Sequence, residues 1–66
     1  MSFAQLGLVG LGNIGRIVSR LAKGLGMKVV AYDPYASPEL AARLDLELVS
    51  FDALVDRADA ITVHVP

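Results

Sequence analysis

Cysteine and tryptophan are absent from this sequence, and histidine occurs once, at His64. Without thiols there is neither a disulfide framework nor a thiolate metal site, and one imidazole does not make a zinc centre, so no metal ligands are expected. Basic runs are missing too. Six Lys and Arg stand against seven Asp and Glu, a net charge of −1, and no stretch of cations is present to follow a nucleic-acid backbone. No apolar run approaches the roughly 20 residues of a membrane span, and the N-terminus lacks the charged, apolar and small-residue zones of a signal peptide, so the expected location is the cytoplasm. What is present is 55% hydrophobic and 20% charged, the composition of a folded chain. Its 66 residues leave room for one small core and no second domain. A chain of this size buries only about 60% of the surface its unfolded form exposes, so a ligand, a partner chain or very close packing has to help.

Leu6-Gly7-Leu8-Val9 is apolar on both faces and stops at a glycine, as a buried parallel strand does. From Ile14 the apolar residues Ile14, Ile17, Val18, Leu21, Ala22 and Leu25 fall at offsets 0, 3, 4, 7, 8 and 11, with Arg16, Ser19, Arg20 and Lys23 opposite them. That spacing predicts a helix with its apolar stripe on the core, ended by left-handed backbone at Gly24 and Gly26. Lys28 to Asp33 is β-branched and aromatic and is closed by Pro34, which predicts a second strand. Ser37-Pro38-Glu39 has the form of an N-cap, a first-turn proline and a first-turn acid, so a short helix runs to about Leu44. Leu46 to Val49 is a brief third strand. Ser50 caps a further helix carrying Phe51, Leu54, Val55 and Ala58, and Ala60 to Val65 is a fourth strand. The order is βαβαβαβ, and parallel strands joined by right-handed crossovers follow from it.

The junction of the first strand and the first helix reads Gly10-Leu11-Gly12-Asn13-Ile14-Gly15, which satisfies G-x-G-x-x-G, and Asp33 closes the next strand 18 residues after Gly15. In that context each residue has a dinucleotide-binding task. Gly10 permits the sharp turn, Gly12 lets backbone approach a pyrophosphate, and Gly15 lets the helix close on the sheet. The free amides of Asn13 and Ile14, at the positive end of the helix dipole, hold phosphate oxygens without a cationic side chain. Asp33 accepts from the ribose hydroxyls and repels a 2′-phosphate, and no Arg follows it, which favours NAD over NADP. Plainer readings of the same residues stand beside these: the glycines as turn chemistry, Asp33 as a solvated loop acid, Asn13 as a simple N-cap, and an FAD or S-adenosylmethionine site on a similar fold. His64 is the only imidazole of the sequence and invites a catalytic reading, but its nearest acid in the sequence is Asp59, on the far side of a strand, and its expected place is a strand end at the mouth of the crevice.

Gly10 to Gly15, Gly26-Met27, Tyr32-Asp33-Pro34, Ala58-Asp59 and His64-Val65-Pro66 together resemble the nucleotide-binding domain of D-2-hydroxyacid dehydrogenases, especially the phosphoglycerate dehydrogenase group, from Leu6 to Pro66. The resemblance implies half a Rossmann fold, four parallel strands in the order 3-2-1-4 with helices on both faces. It also implies an NAD site in which the Asn13 and Ile14 amides hold the pyrophosphate, Asp33 holds the adenine-side ribose, and Tyr32, Pro34, Val65 and Pro66 surround the adenosine. The family's catalytic Arg, Glu and His lie beyond the equivalent of Pro66. The expectation is therefore a single truncated or engineered dinucleotide-binding unit over residues 1–66, with no catalytic residues of its own. The rival reading is a self-assembling scaffold without cofactor binding. Because the outer edge of Ala60 to Val65 carries no protecting charge, a homodimer through that strand is expected.

Overall fold

The computed structural model describes residues 4–64. Val65 and Pro66, expected beside the adenosine, lie outside the described residues. The elements are β1 (Gln5–Val9), α1 (Asn13–Gly24), β2 (Lys28–Tyr32), α2 (Pro38–Arg43), β3 (Glu47–Leu48), α3 (Phe51–Arg57) and β4 (Ala60–Val63). The four strands form one parallel sheet in the order β3-β2-β1-β4. Among the described residues no helix is long and apolar enough to cross a membrane.

Alternation along the strands divides the sheet into two faces. Leu6, Leu8, Val29 and Ala31 point to one face, where they join Leu11 and Ala22 in the main core, with Val18, Met27, Leu46 and Leu48 packed against it. The other face is thinner. There Val30 and Leu54 are fully buried, and a Cβ on Gly7 would meet Leu54 Cδ2 at 2.8 Å and Ala58 Cβ at 2.9 Å. The absent side chain of Gly7 is thus what lets α3 lie close on the sheet. Ile61 pairs in register with Gly7 and Val63 with Val9, so both belong to the face of α3, and both remain exposed.

One expectation about α1 is overturned. The large apolar residues do not face the core: Ile14, Ile17, Leu21 and Leu25 are 63%, 55%, 64% and 79% exposed. The buried side is Gly15, Ser19 and Ala22. The cause is distance, because a helix lying this close to its sheet admits only small side chains at the contact line, and a Cβ on Gly15 would come within 2.6 Å of the Gly10 carbonyl oxygen. The helix stop is also narrower than expected. Gly26, at φ +82°, is left-handed, whereas Gly24 ends α1 without positive φ.

The short β3 edge is held by side chains. Arg57 at the end of α3 donates Nη1 and Nη2 to the two carboxylate oxygens of Glu47, at 2.8 and 3.0 Å. This paired hydrogen bond holds the Glu47 carboxyl below the usual carboxylate range and raises the Arg57 guanidinium above its own.

Candidate functional site

The glycine loop and Asp33 meet at the carboxyl ends of β1 and β2, where an open parallel sheet forms its ligand crevice. Gly10 leaves β1 at φ +97°, a conformation that L side chains rarely adopt, and a Cβ there would collide with the His64 carbonyl. The Gly10 amide donates to the Tyr32 carbonyl at 2.9 Å, and the His64 amide donates to the Val9 carbonyl at 2.8 Å. The turn is therefore clamped between β2 and the end of β4. Leu11 then drops its side chain into the core, 2% exposed, and turns its amide to Asp33.

Asp33 organises the crevice. Its Oδ2 accepts from the Leu11 amide at 2.8 Å, and its Oδ1 accepts from the Tyr35 amide at 2.8 Å. One carboxylate thus holds both the glycine loop and the turn after β2, and each oxygen keeps a second lone-pair direction for another donor. The sequence singled out Asp33 for a ligand but not for this internal role. Leu11 was missed as well, and the signal for it was an apolar residue between two glycines, where a solvated turn would carry a polar one.

The start of α1 is open. Gly12 is its N-cap, with extended backbone at φ −65° and ψ −172°, no side chain caps the helix, and no acid lies in its first turn. Its carbonyl takes the Arg16 amide at 3.0 Å, so the helix is wound from its first residue. A Cβ built on Gly12 would have nothing within 4 Å. Space and uncapped first-turn amides therefore coincide above Gly12, which is the donor set and the room that a pyrophosphate requires. The residues present fit that group.

The remaining expected residues are placed as follows. Asn13 is exposed beside Ile14 at the first turn of α1. Tyr32 is half-buried with its ring edge-on to Phe51, centroids 5.6 Å apart, and Pro34 is exposed beyond Asp33. The Thr62 hydroxyl lies 3.0 Å from His64 Nε2, and no carboxylate bonds to that ring among the described residues. Among the same residues no group of three His, Asp or Glu is placed to hold a metal ion.

Comparison with known proteins identifies the family and the fold. The family model described as D-isomer specific 2-hydroxyacid dehydrogenase, NAD binding domain, matches residues 1–66. D-3-phosphoglycerate dehydrogenase of Mycobacterium tuberculosis (strain H37Rv) is 54% identical over 61 residues, which cover 92% of this chain and 12% of that protein. The enzyme of the same name from Synechocystis is 51% identical over 61 residues, or 92% of this chain and 11% of that one. Among solved structures, the NAD-complexed D-isomer specific 2-hydroxyacid dehydrogenase of Lactobacillus delbrueckii ssp. bulgaricus superposes with a TM-score of 0.82 at 35% identity, covering 96% of this chain and 18% of that one. The apo D-lactate dehydrogenase of Escherichia coli gives 0.86 at 38%, covering 97% and 20%. This chain thus spans 11–12% of the length of these phosphoglycerate dehydrogenases and 18–20% of the two solved chains.

Proposed function

This chain belongs to the NAD-binding domain family of the D-isomer specific 2-hydroxyacid dehydrogenases, and we propose that residues 1–66 act as one unit holding the adenosine and pyrophosphate half of NAD within an oxidoreductase of that family. The observation that carries this reading is the open start of α1 beside an anchored Asp33. The amides of Asn13 and Ile14 hold the pyrophosphate across Gly12, and Asp33 accepts from the ribose hydroxyls through the oxygen directions that Leu11 and Tyr35 leave free. Gly10 and Gly15 set the turn, while Tyr32, Pro34, Val65 and Pro66 border the adenosine. Bound NAD supplies the hydride carrier of such an oxidoreductase, and the residues of this chain bind and orient it. No catalytic acid or base is assigned within the chain.

Titrating the full chain with NAD while following backbone amide signals tests the proposal. The expected result is a saturable shift centred on Gly12 to Gly15 and Asp33. No shift there at millimolar NAD would leave the scaffold reading standing.

A second reading concerns self-association. Among the described residues β4 is an edge strand, with Ile61 45% and Val63 59% exposed on the face of α3. An unpaired, uncharged apolar edge supports homodimer formation by pairing of β4 with its copy about a two-fold axis. Sedimentation over a concentration range distinguishes the outcomes. The parent should dimerise and Val63→Lys should not, and equal association by both would exclude this edge.

A further inference from the structure

The chain has four arginines, and they fall into two groups. Arg57 is paired through both arms with Glu47. The other three, Arg16, Arg20 and Arg43, have no carboxylate within salt-bridge distance among the described residues, are exposed, and line one cavity of about 210 Å³ between α1 and α2. Ser19, Lys23 and Leu44 complete its wall. Lys23 is not free, because its Nζ donates to the Leu44 and Asp45 carbonyls at 3.3 and 2.6 Å and to Asp45 Oδ2 at 2.9 Å. It ties α1 to the end of α2 and fixes the width of the groove.

The three cations share one wall with no carboxylate in salt-bridge contact among the described residues. Arg16 and Arg20 are one turn apart on α1, and like charges at that spacing destabilise a helix. Arg43 brings a third positive charge from α2 into the same cavity, while Asp45 is paired with Lys23, Glu47 with Arg57 and Asp33 with the glycine loop, and Glu39, one turn before Arg43 on α2, forms no salt bridge with it. Among the described residues, Arg16 is the one member of this group whose guanidinium makes a hydrogen bond, from Nε to the Leu11 carbonyl at 3.4 Å, which leaves its outer fork open. Planar forks of this kind match phosphate oxygens two at a time, which a lysine head does not.

We propose that the groove between α1 and α2 is a binding site for a small oligophosphate anion, separate from the open start of α1. Arg16 and Arg20 lie about 6 Å apart along the helix axis, with Arg43 across from them. One phosphate faces two of these groups, whereas a chain of two or three meets all three. The site recognises charge through side chains on the flank of α1, in contrast to the backbone amides at its start, so the two sites separate by mutation.

The test uses the full chain without cofactor or divalent metal, titrated with tripolyphosphate and, in parallel, inorganic phosphate. Amide shifts should centre on Ser19, Arg20, Arg43 and Leu44, and tripolyphosphate should bind more tightly than phosphate. Arg20→Gln and Arg43→Gln should each weaken it roughly tenfold, the scale of a lost charge-assisted bidentate contact. Lys28→Gln, which removes the same charge elsewhere, should change it less than twofold, and Gly12→Val should leave it intact. Shifts centred on Gly12 to Gly15, equal weakening by Lys28→Gln, or tighter binding of a mixed-sequence oligonucleotide than of tripolyphosphate would each overturn the proposal. Unchanged amide spectra away from the groove confirm that the variants fold.

Discussion

Three helices begin among the described residues, and the first begins unlike the other two. At α2 the Ser37 hydroxyl accepts from the Leu40 amide at 3.1 Å, and Glu39 sits in the first turn. At α3 the Ser50 hydroxyl accepts from the Ala53 amide at 3.1 Å, and Asp52 sits in the first turn. Both ends thus satisfy an otherwise free amide and place a carboxylate at the positive end of the dipole. At α1 the cap is Gly12, there is no side-chain cap, and the first turn carries no acid. The longest helix, with the largest dipole to neutralise, has the least local provision for it. The difference teaches that helix starts in this fold are of two kinds, two closed by side chains of their own sequence and one that its own sequence leaves uncapped.

The sharpest way to break the contrast is to fill the open end. Gly12→Val should weaken NAD on the order of a hundredfold, about 2.7 kcal/mol, by occupying the space for the pyrophosphate. Because nothing lies within 4 Å of the new Cβ, the only stability loss should be that of a poorer N-cap, up to about 1 kcal/mol and smaller than the loss in binding, as thermal denaturation and calorimetric titration together would show. Retained NAD affinity in this variant would show that the open end is not the phosphate site.

Asp33→Ala should come next, with a loss of about 1 to 3 kcal/mol in NAD binding from the missing charged hydrogen bonds. The preference over NADP should narrow as well, and the Leu11 and Tyr35 amides should exchange faster with solvent, since the same carboxylate holds both. Comparing NAD and NADP affinities of parent and variant measures this, and an unchanged ratio would remove Asp33 from the site.

The closed ends should behave oppositely. Ser50→Ala should cost about 1 kcal/mol of stability, which in a chain of this size lowers the midpoint by roughly 4 to 8 °C, and should leave NAD affinity unaltered. A Ser50→Ala variant with normal stability and impaired binding would invert the contrast between the helix starts.

The smallest effect belongs to an exposed pair far from either kind of start. Glu47 is held below the ordinary carboxylate range, first by its hydrogen bond with Arg57. Its contribution is therefore present above the unfolded-state carboxylate pKa and is lost as pH falls through the lowered folded value. An acid titration of the unfolding midpoint should show a slight extra decline in the parent that Glu47→Gln lacks, and identical pH profiles would show the pair contributes nothing measurable.

Most of the fold was legible because its punctuation is local. Ser37 and Ser50 marked two helix starts, Gly10 and Gly26 marked turns that need positive φ, and the parallel order followed from alternating strands and helices. The glycine loop was legible for the same reason, since a fixed spacing of glycines after a strand and an acid after the next encode one backbone geometry. The orientation of α1 was not. Its hydrophobic pattern pointed Ile14, Ile17, Leu21 and Leu25 inward, and the buried line instead runs through Gly15, Ser19 and Ala22. Periodicity reports which residues share a face, but it does not report how close the neighbouring sheet comes, and at close approach small side chains displace large ones from the contact.

The sequence by itself therefore determined the element order, the parallel sheet, the glycine loop and the acid that follows it, since each depends on interactions within a few residues or on a stereotyped crossover. Only the tertiary structure decided which side of α1 is buried, that Asp33 and Leu11 hold each other across 22 residues, and that Arg16 and Arg20 share a cavity with Arg43. These are outcomes of packing distance between elements far apart in the chain, and no local pattern carries that distance.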